Sequence, residues 1–206
     1  EGGVTRVKHV LVAFSWSMSN ICDIGITPGL LNLMQRHVPE LPVTVMTSHA
    51  AGSPEFEFLK GYFPRYAPGC RVVPNVFRAA VDPSLAPKER AGAWGAFVAR
   101  WGAVKLKAFE NGCLTVDDAE AIVDDLLNVF PHELLAELRR SAPEAAGALE
   151  NAGFVLFTSG TTLNFGRMGK RSFWSFSLRH ALPMVIARAL GIPYGISSQS
   201  FDAVEW

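Results

Sequence analysis

The chain has 206 residues, 49% of them hydrophobic and 18% charged, with 19 Lys and Arg against 19 Asp and Glu. That composition excludes a disordered chain, and a length of about 1.4 average domains favours one large core over two. A formal net charge of +0 gives no reason to expect nucleic acid as partner, and no apolar run reaches the roughly 18 residues of a membrane span, because Ala181 to Ile196 is broken by Pro183, Arg188 and Pro193.

Val7 to Trp16 (VKHVLVAFSW) is a β-branched and aromatic run bounded by polar Ser17 to Asn20, which predicts a buried first strand. Beyond that loop, Thr27 and Pro28 read as N-cap and first residue of a helix with Leu30, Leu31, Met34 and Val38 on one face. Pro42 to Thr47 (PVTVMT) predicts a second strand, Pro54 to Phe63 a helix, and Cys70 to Val73 a brief third strand. From about Pro87 to Asn151 the pattern is continuous helix, with Trp94, Phe97, Val98, Trp101 and Val104 on one stripe.

Within that block, Thr115 is the expected cap of a helix whose apolar positions are Val116, Ala119, Ile122, Val123, Leu126, Leu127 and Phe130, with Pro131 ending it. Asp117, Asp118, Asp124 and Asp125 read as its wet face. Residues 81–150 carry 12 acidic and 7 basic side chains, and the rest of the chain 7 acidic and 12 basic. An acidic helical cover on a basic frame is the result, and an anion belongs on the frame.

The alternation resumes with Phe154 to Thr158 (FVLFT) as a strand, a loop over 159–171, a helix over about 172–190 and a last strand, Tyr194 to Ser198. Pro183 is expected to kink or break that helix. The expected fold class is α/β, a Rossmann-like parallel sheet with helices on both faces. It forms a single domain over 1–206, with a helical insertion over about 87–151.

In open α/β sheets ligands bind beyond the carboxyl ends of the strands. Three predicted ends lead into small polar residues, Ser17 to Asp23 (SMSNICD), Ser159 to Thr162 (SGTT) and Ser197 to Ser200 (SSQS). Small side chains expose backbone N–H groups, and a helix N-terminus behind them adds about half a positive charge. Such loops suit phosphate, carboxylate or sugar hydroxyls, although Ser, Thr, Asn and Gly are also ordinary loop residues. Arg167, Lys170 and Arg171 lie in the second loop, where guanidinium forks pair with carboxylate and phosphate. The stretch Gly166 to Ser172 (GRMGKRS) is no P-loop, since position 164 is Asn and Arg171 follows Lys170.

Gly195 to Gln199 (GISSQ) is not a nucleophile elbow, because its last position is Gln. The five histidines show no metal-ligand spacing, and Cys22, Cys70 and Cys113 form no C-x-x-C pair, so no metal site is expected. Trp16 and Trp174 flank the polar loops and read as core aromatics or as platforms for a sugar ring.

Asn20-Ile21-Cys22-Asp23 followed by Ile24 to Gly29, the strand and turn Phe154 to Thr162 (FVLFTSGTT), and Ala187 to Ser200 (ARALGIPYGISSQS) come in an order and spacing that span nearly the whole chain. In this it resembles the polysaccharide pyruvyl transferase family, with Cys22 and Thr161 standing where relatives carry Gly. The resemblance implies two facing Rossmann-like domains, as in GT-B glycosyltransferases, of which this chain would supply the first. It implies transfer of the enolpyruvyl skeleton from phosphoenolpyruvate to two hydroxyls of a sugar, forming a cyclic ketal, in exopolysaccharide or cell-wall polysaccharide modification. No cofactor or metal is required on that reading. The partners expected are a glycan acceptor and phosphoenolpyruvate, with no nucleic acid and no membrane span.

Loops and resemblance together mark Asn20, Asp23, Gly25, Ser159, Gly160, Thr161, Arg167, Lys170, Gln199 and Ser200 as ligand-binding positions. The Arg and His residues that handle phosphoenolpyruvate in relatives belong mainly to the second domain, so the chain alone is expected to hold the acceptor and to transfer nothing. A sugar-nucleotide glycosyltransferase or epimerase of GT-B type, and a non-catalytic carbohydrate-binding domain, are the alternatives. A cytoplasmic location is expected, with export after signal removal as the other possibility.

Overall fold

The structure is a computed structural model that describes residues 8–15, 21–77, 92–158 and 173–197. Five strands, β1 (His9–Ser15), β2 (Val43–Thr47), β3 (Arg71–Val73), β4 (Ala152–Thr158) and β5 (Tyr194–Ser197), form one sheet in the order β3-β2-β1-β4-β5. Every neighbouring pair is parallel. Central β1 pairs Val12 with Val45 on one side and with Leu156 on the other. Successive strand residues point to opposite faces, so Val10 and Val12 enter one core with Val43 and Val45, while Leu11 and Ala13 enter the other with Met46, Val155 and Phe157. A strand buried on both faces reads as an unbroken apolar run, which is why HVLVAFS shows little alternation.

The first face is covered by α1 (Ile21–His37) and α2 (Pro54–Tyr62), through Leu31 and Leu59, and by Phe63 in the 3-10 turn that follows α2. Ser53 caps α2 by accepting the Phe56 N–H at 3.2 Å, with Pro54 in the first turn as predicted. Helix α1 corrects the expected cap at Thr27, because it begins six residues earlier and runs through Pro28. Thr27 and Pro28 are both buried, so packing holds a helix that propensity would have started at the proline. Asp23 and Gly25 consequently belong to the opening of a helix and not to a loop.

The second face is covered by the helical block and the last helix. In place of one continuous helix there are α3 (Gly92–Trp101), α4 (Ala103–Glu110), α5 (Val116–Asn128), α6 (Phe130–Ser141) and α7 (Pro143–Glu150). Gly102, at φ 72°, turns the chain between α3 and α4 in a conformation that other residues rarely adopt. The expected stripe therefore stops early: Trp94, Phe97 and Val98 are buried, whereas Val104 is 86% exposed. Thr115 caps α5 as expected, accepting the Asp118 N–H at 3.3 Å. Pro131 sits in the first turn of α6 and does not itself end α5, since its missing N–H is no loss there. After β4 the described chain resumes in a π-helical turn (Phe173–Ser177) that leads into α8 (Leu178–Ala189), which passes through Pro183 without a break.

Asp125 is a second correction, for it is buried and not on the wet face of α5. Arg100 of α3 grips it from Nε and Nη2, both at 2.8 Å, and the Trp101 Nε1–H donates to the same carboxylate at 2.6 Å. Arg100 also donates to both carboxylate oxygens of Glu133 in α6, at 2.9 and 3.0 Å. These charge-assisted bonds push the Arg100 guanidinium pKa upward and tie three helices together.

His9 opens β1 and is buried, with no partner at Nε2 among the described residues. Burial lowers its pKa from 6.5, against the hydrogen bond to the Ala148 backbone, which raises it. A folded-state pKa below the unfolded one means that the unfolded chain binds the extra proton first, so stability is lost as pH falls below about 6.5. Between pH 7 and pH 5 the native chain should lose more of its urea midpoint than His9→Gln does. Equal losses would remove His9 as the cause.

Candidate functional site

The chain runs outward from β1 to β2 and β3, then returns to lay β4 against the other side of β1 and β5 beyond it. The strand order thus reverses between β1 and β4, the switch point at which an open parallel sheet leaves a crevice at its carboxyl edge. In register, Ser15 pairs with Thr47 and Thr158 with Ser197. Four adjacent strands, β2, β1, β4 and β5, therefore each end on a hydroxyl residue at one edge.

The hydroxyls of Thr47 and Thr158 differ. Thr47 donates to the His49 carbonyl at 3.1 Å and accepts the His49 N–H at 3.2 Å. That same carbonyl accepts the Asn75 N–H at 2.8 Å, so Thr47 closes a structural turn beside β3. Thr158 is 1% exposed, and its Oγ1 has no partner among the described residues. A buried hydroxyl left unpaired costs free energy, and this one stands at the strand end that borders the switch point. Sequence reasoning overlooked Ser15, Thr47 and Thr158, although each closes its apolar run (AFS, VMT, LFT) and so carried a visible signal.

Helix α1 follows β1 and begins at Ile21, so its unbonded N–H groups belong to the same edge. Gly25 is exposed, and a Cβ built on it meets no atom of the described residues within 4 Å. The side chains of Cys22 and Asp23 lie outside the described part of the structure, as do residues Asn20, Ser159, Gly160, Thr161, Arg167, Lys170, Gln199 and Ser200. What the strand order establishes is that the three polar segments predicted for ligand binding leave from β1, β4 and β5, which are neighbours.

Trp174 is not a sugar platform. It is buried, donates its Nε1–H to the Leu106 carbonyl at 3.3 Å, and packs among Trp94, Phe97, Phe109 and Phe173. Trp16 lies outside the described residues. Cys70 is buried, which pushes its thiol pKa up to about 12 and makes it a poor nucleophile. Among the described residues no cluster of His, Cys, Asp and Glu is arranged to hold a metal, and no helix is long and apolar enough to cross a membrane.

No family model, curated protein or solved structure matches this chain. The chemistry of the edge is therefore the guide. Hydroxyls, backbone amides and a helix N-terminus bind carboxylate, phosphate and sugar hydroxyls, and offer no redox or metal chemistry of their own.

Proposed function

We propose that the chain is a polysaccharide pyruvyl transferase-like domain, the first half of a GT-B-like pair, whose carboxyl edge holds the acceptor glycan. The observation that carries this reading is the strand order, by which three motif-bearing segments leave adjacent strands around one switch point. In the reaction both acceptor hydroxyls add to C2 of phosphoenolpyruvate, a proton is delivered to its methylene carbon, and inorganic phosphate leaves as the ketal closes. Asn20, Asp23, Gln199 and Ser200 are assigned to the sugar hydroxyls. Arg167 and Lys170, with the amides of Ser159, Gly160 and Thr161, are assigned to the carboxylate and phosphate. The proton donor and the remaining cations would come from the facing domain.

Calorimetric titration with phosphoenolpyruvate, a mixture of simple glycans and a nucleotide-sugar, each alone, tests the proposal. One charged hydrogen bond is worth roughly 1.5–3 kcal/mol, so Arg167→Ala should weaken phosphoenolpyruvate binding about tenfold to a hundredfold. Thr158→Val should leave glycan binding unchanged and the fold at least as stable, since the hydroxyl it removes is buried and has no partner among the described residues. Binding of the nucleotide-sugar alone would move the assignment to a glycosyltransferase or epimerase. Glycan binding with no response to phosphoenolpyruvate would make this a carbohydrate-binding domain.

A further inference from the structure

Helix α5 carries two apolar stripes, and the sheet uses one of them. Ile122 and Leu126 are buried in the core, while Val116, Ala119, Val123 and Leu127 recur three and four residues apart, roughly a quarter of a turn away. Val116 is 71% and Val123 40% exposed. The second stripe floors a groove of about 1470 Å³ whose far wall includes Phe109, at the end of α4, and Phe173, in the π-helical turn. A drug-sized ligand fills roughly 300–1,000 Å³, so the groove suits a larger guest.

The charges along the groove are lopsided. Asp117, Glu120 and Asp124 are exposed and lie together on the outer flank of the α5 stripe. Across from them Arg188 is engaged at the groove's end, donating to Asn128 Oδ1 at 3.1 Å. An apolar floor with an acidic margin complements a guest that has an apolar stripe and a basic flank. Because α5 has 13 residues, about 20 Å of helix, a guest helix of three to four turns lies along it with anchors at i, i+3 or i+4, and i+7.

We propose that this groove docks a basic amphipathic helix of another polypeptide. None of the described strand-end residues lines the groove, and the proposal does not depend on the pyruvyl transferase reading. Two synthetic peptides of about 15 residues, sharing one leucine stripe and differing in Lys or Glu at the flanking positions, are the probes. Fluorescence anisotropy with the full chain should show the Lys peptide binding at least about tenfold more tightly than the Glu peptide. Glu120→Lys combined with Asp124→Lys should reverse that preference, and Val123→Asp should abolish binding of both, with thermal unfolding recorded for each variant. The double charge variant changes only exposed positions, so it keeps the test decisive if Val123→Asp fails to fold. Equal binding of the two peptides, no binding of either, or sedimentation showing that this face pairs with a second copy of the chain would overturn the proposal.

Discussion

Truncation of Trp174 to alanine should destabilise the fold by roughly 3–5 kcal/mol, the range for emptying a buried aromatic site. Its ring lies 4.8 Å from that of Phe173, 5.3 Å from Phe109, and 5.9 Å from both Trp94 and Phe97. Rings from α3, α4 and the π-helical turn thus meet at this one side chain. Aromatic pairs at such separations add about 0.5–1.5 kcal/mol beyond the area they bury. Trp174→Phe keeps a ring but loses the 3.3 Å bond to the Leu106 carbonyl, and should cost roughly 1–2 kcal/mol. Urea unfolding at neutral pH measures both. A loss below about 1 kcal/mol for the alanine variant would be incompatible with a core position.

Replacing Asp125 with alanine should cost about 3 kcal/mol, the lower end of the range for removing one partner of a buried ion pair. The Asp125 side chain is 7% exposed but that of Arg100 is 34% exposed, so the freed guanidinium regains some water and keeps Glu133. Arg100→Ala leaves the carboxylate buried with only the Trp101 indole N–H, and should cost at least as much. The double variant should lose clearly less than the two single losses combined, because they share one interaction. Raising the salt concentration should change these losses little, as buried charges are weakly screened. Additive losses in denaturant titrations would show that the three-helix network is not a unit.

The strands were legible because their apolar runs are short and bounded by polar residues, and β4 differs from its expected span only by starting at Ala152. The cap at Thr115 was legible too, since a hydroxyl reaching an N–H three residues on depends on nothing distant. The start of α1 was not, because Pro28 is a strong local signal and the packing that overrides it comes from the sheet. Asp125 was missed for a related reason. Its neighbours on α5 look solvated, and the Arg100 that pairs with it lies 25 residues away.

Of the candidate site, the polar segments after β1, β4 and β5 could be read from composition alone, whereas their adjacency could not. Hydrophobic pattern and turn chemistry are properties of neighbouring residues, so the sequence by itself determined an alternating α/β chain, its strand ends and the Thr115 cap. Strand order depends on which edges pair across long stretches of chain. Only the tertiary structure therefore decided that β4 returns beside β1, that Thr158 is buried at the switch point with no partner among the described residues, and that one stripe of α5 faces an open groove while the other fills the core.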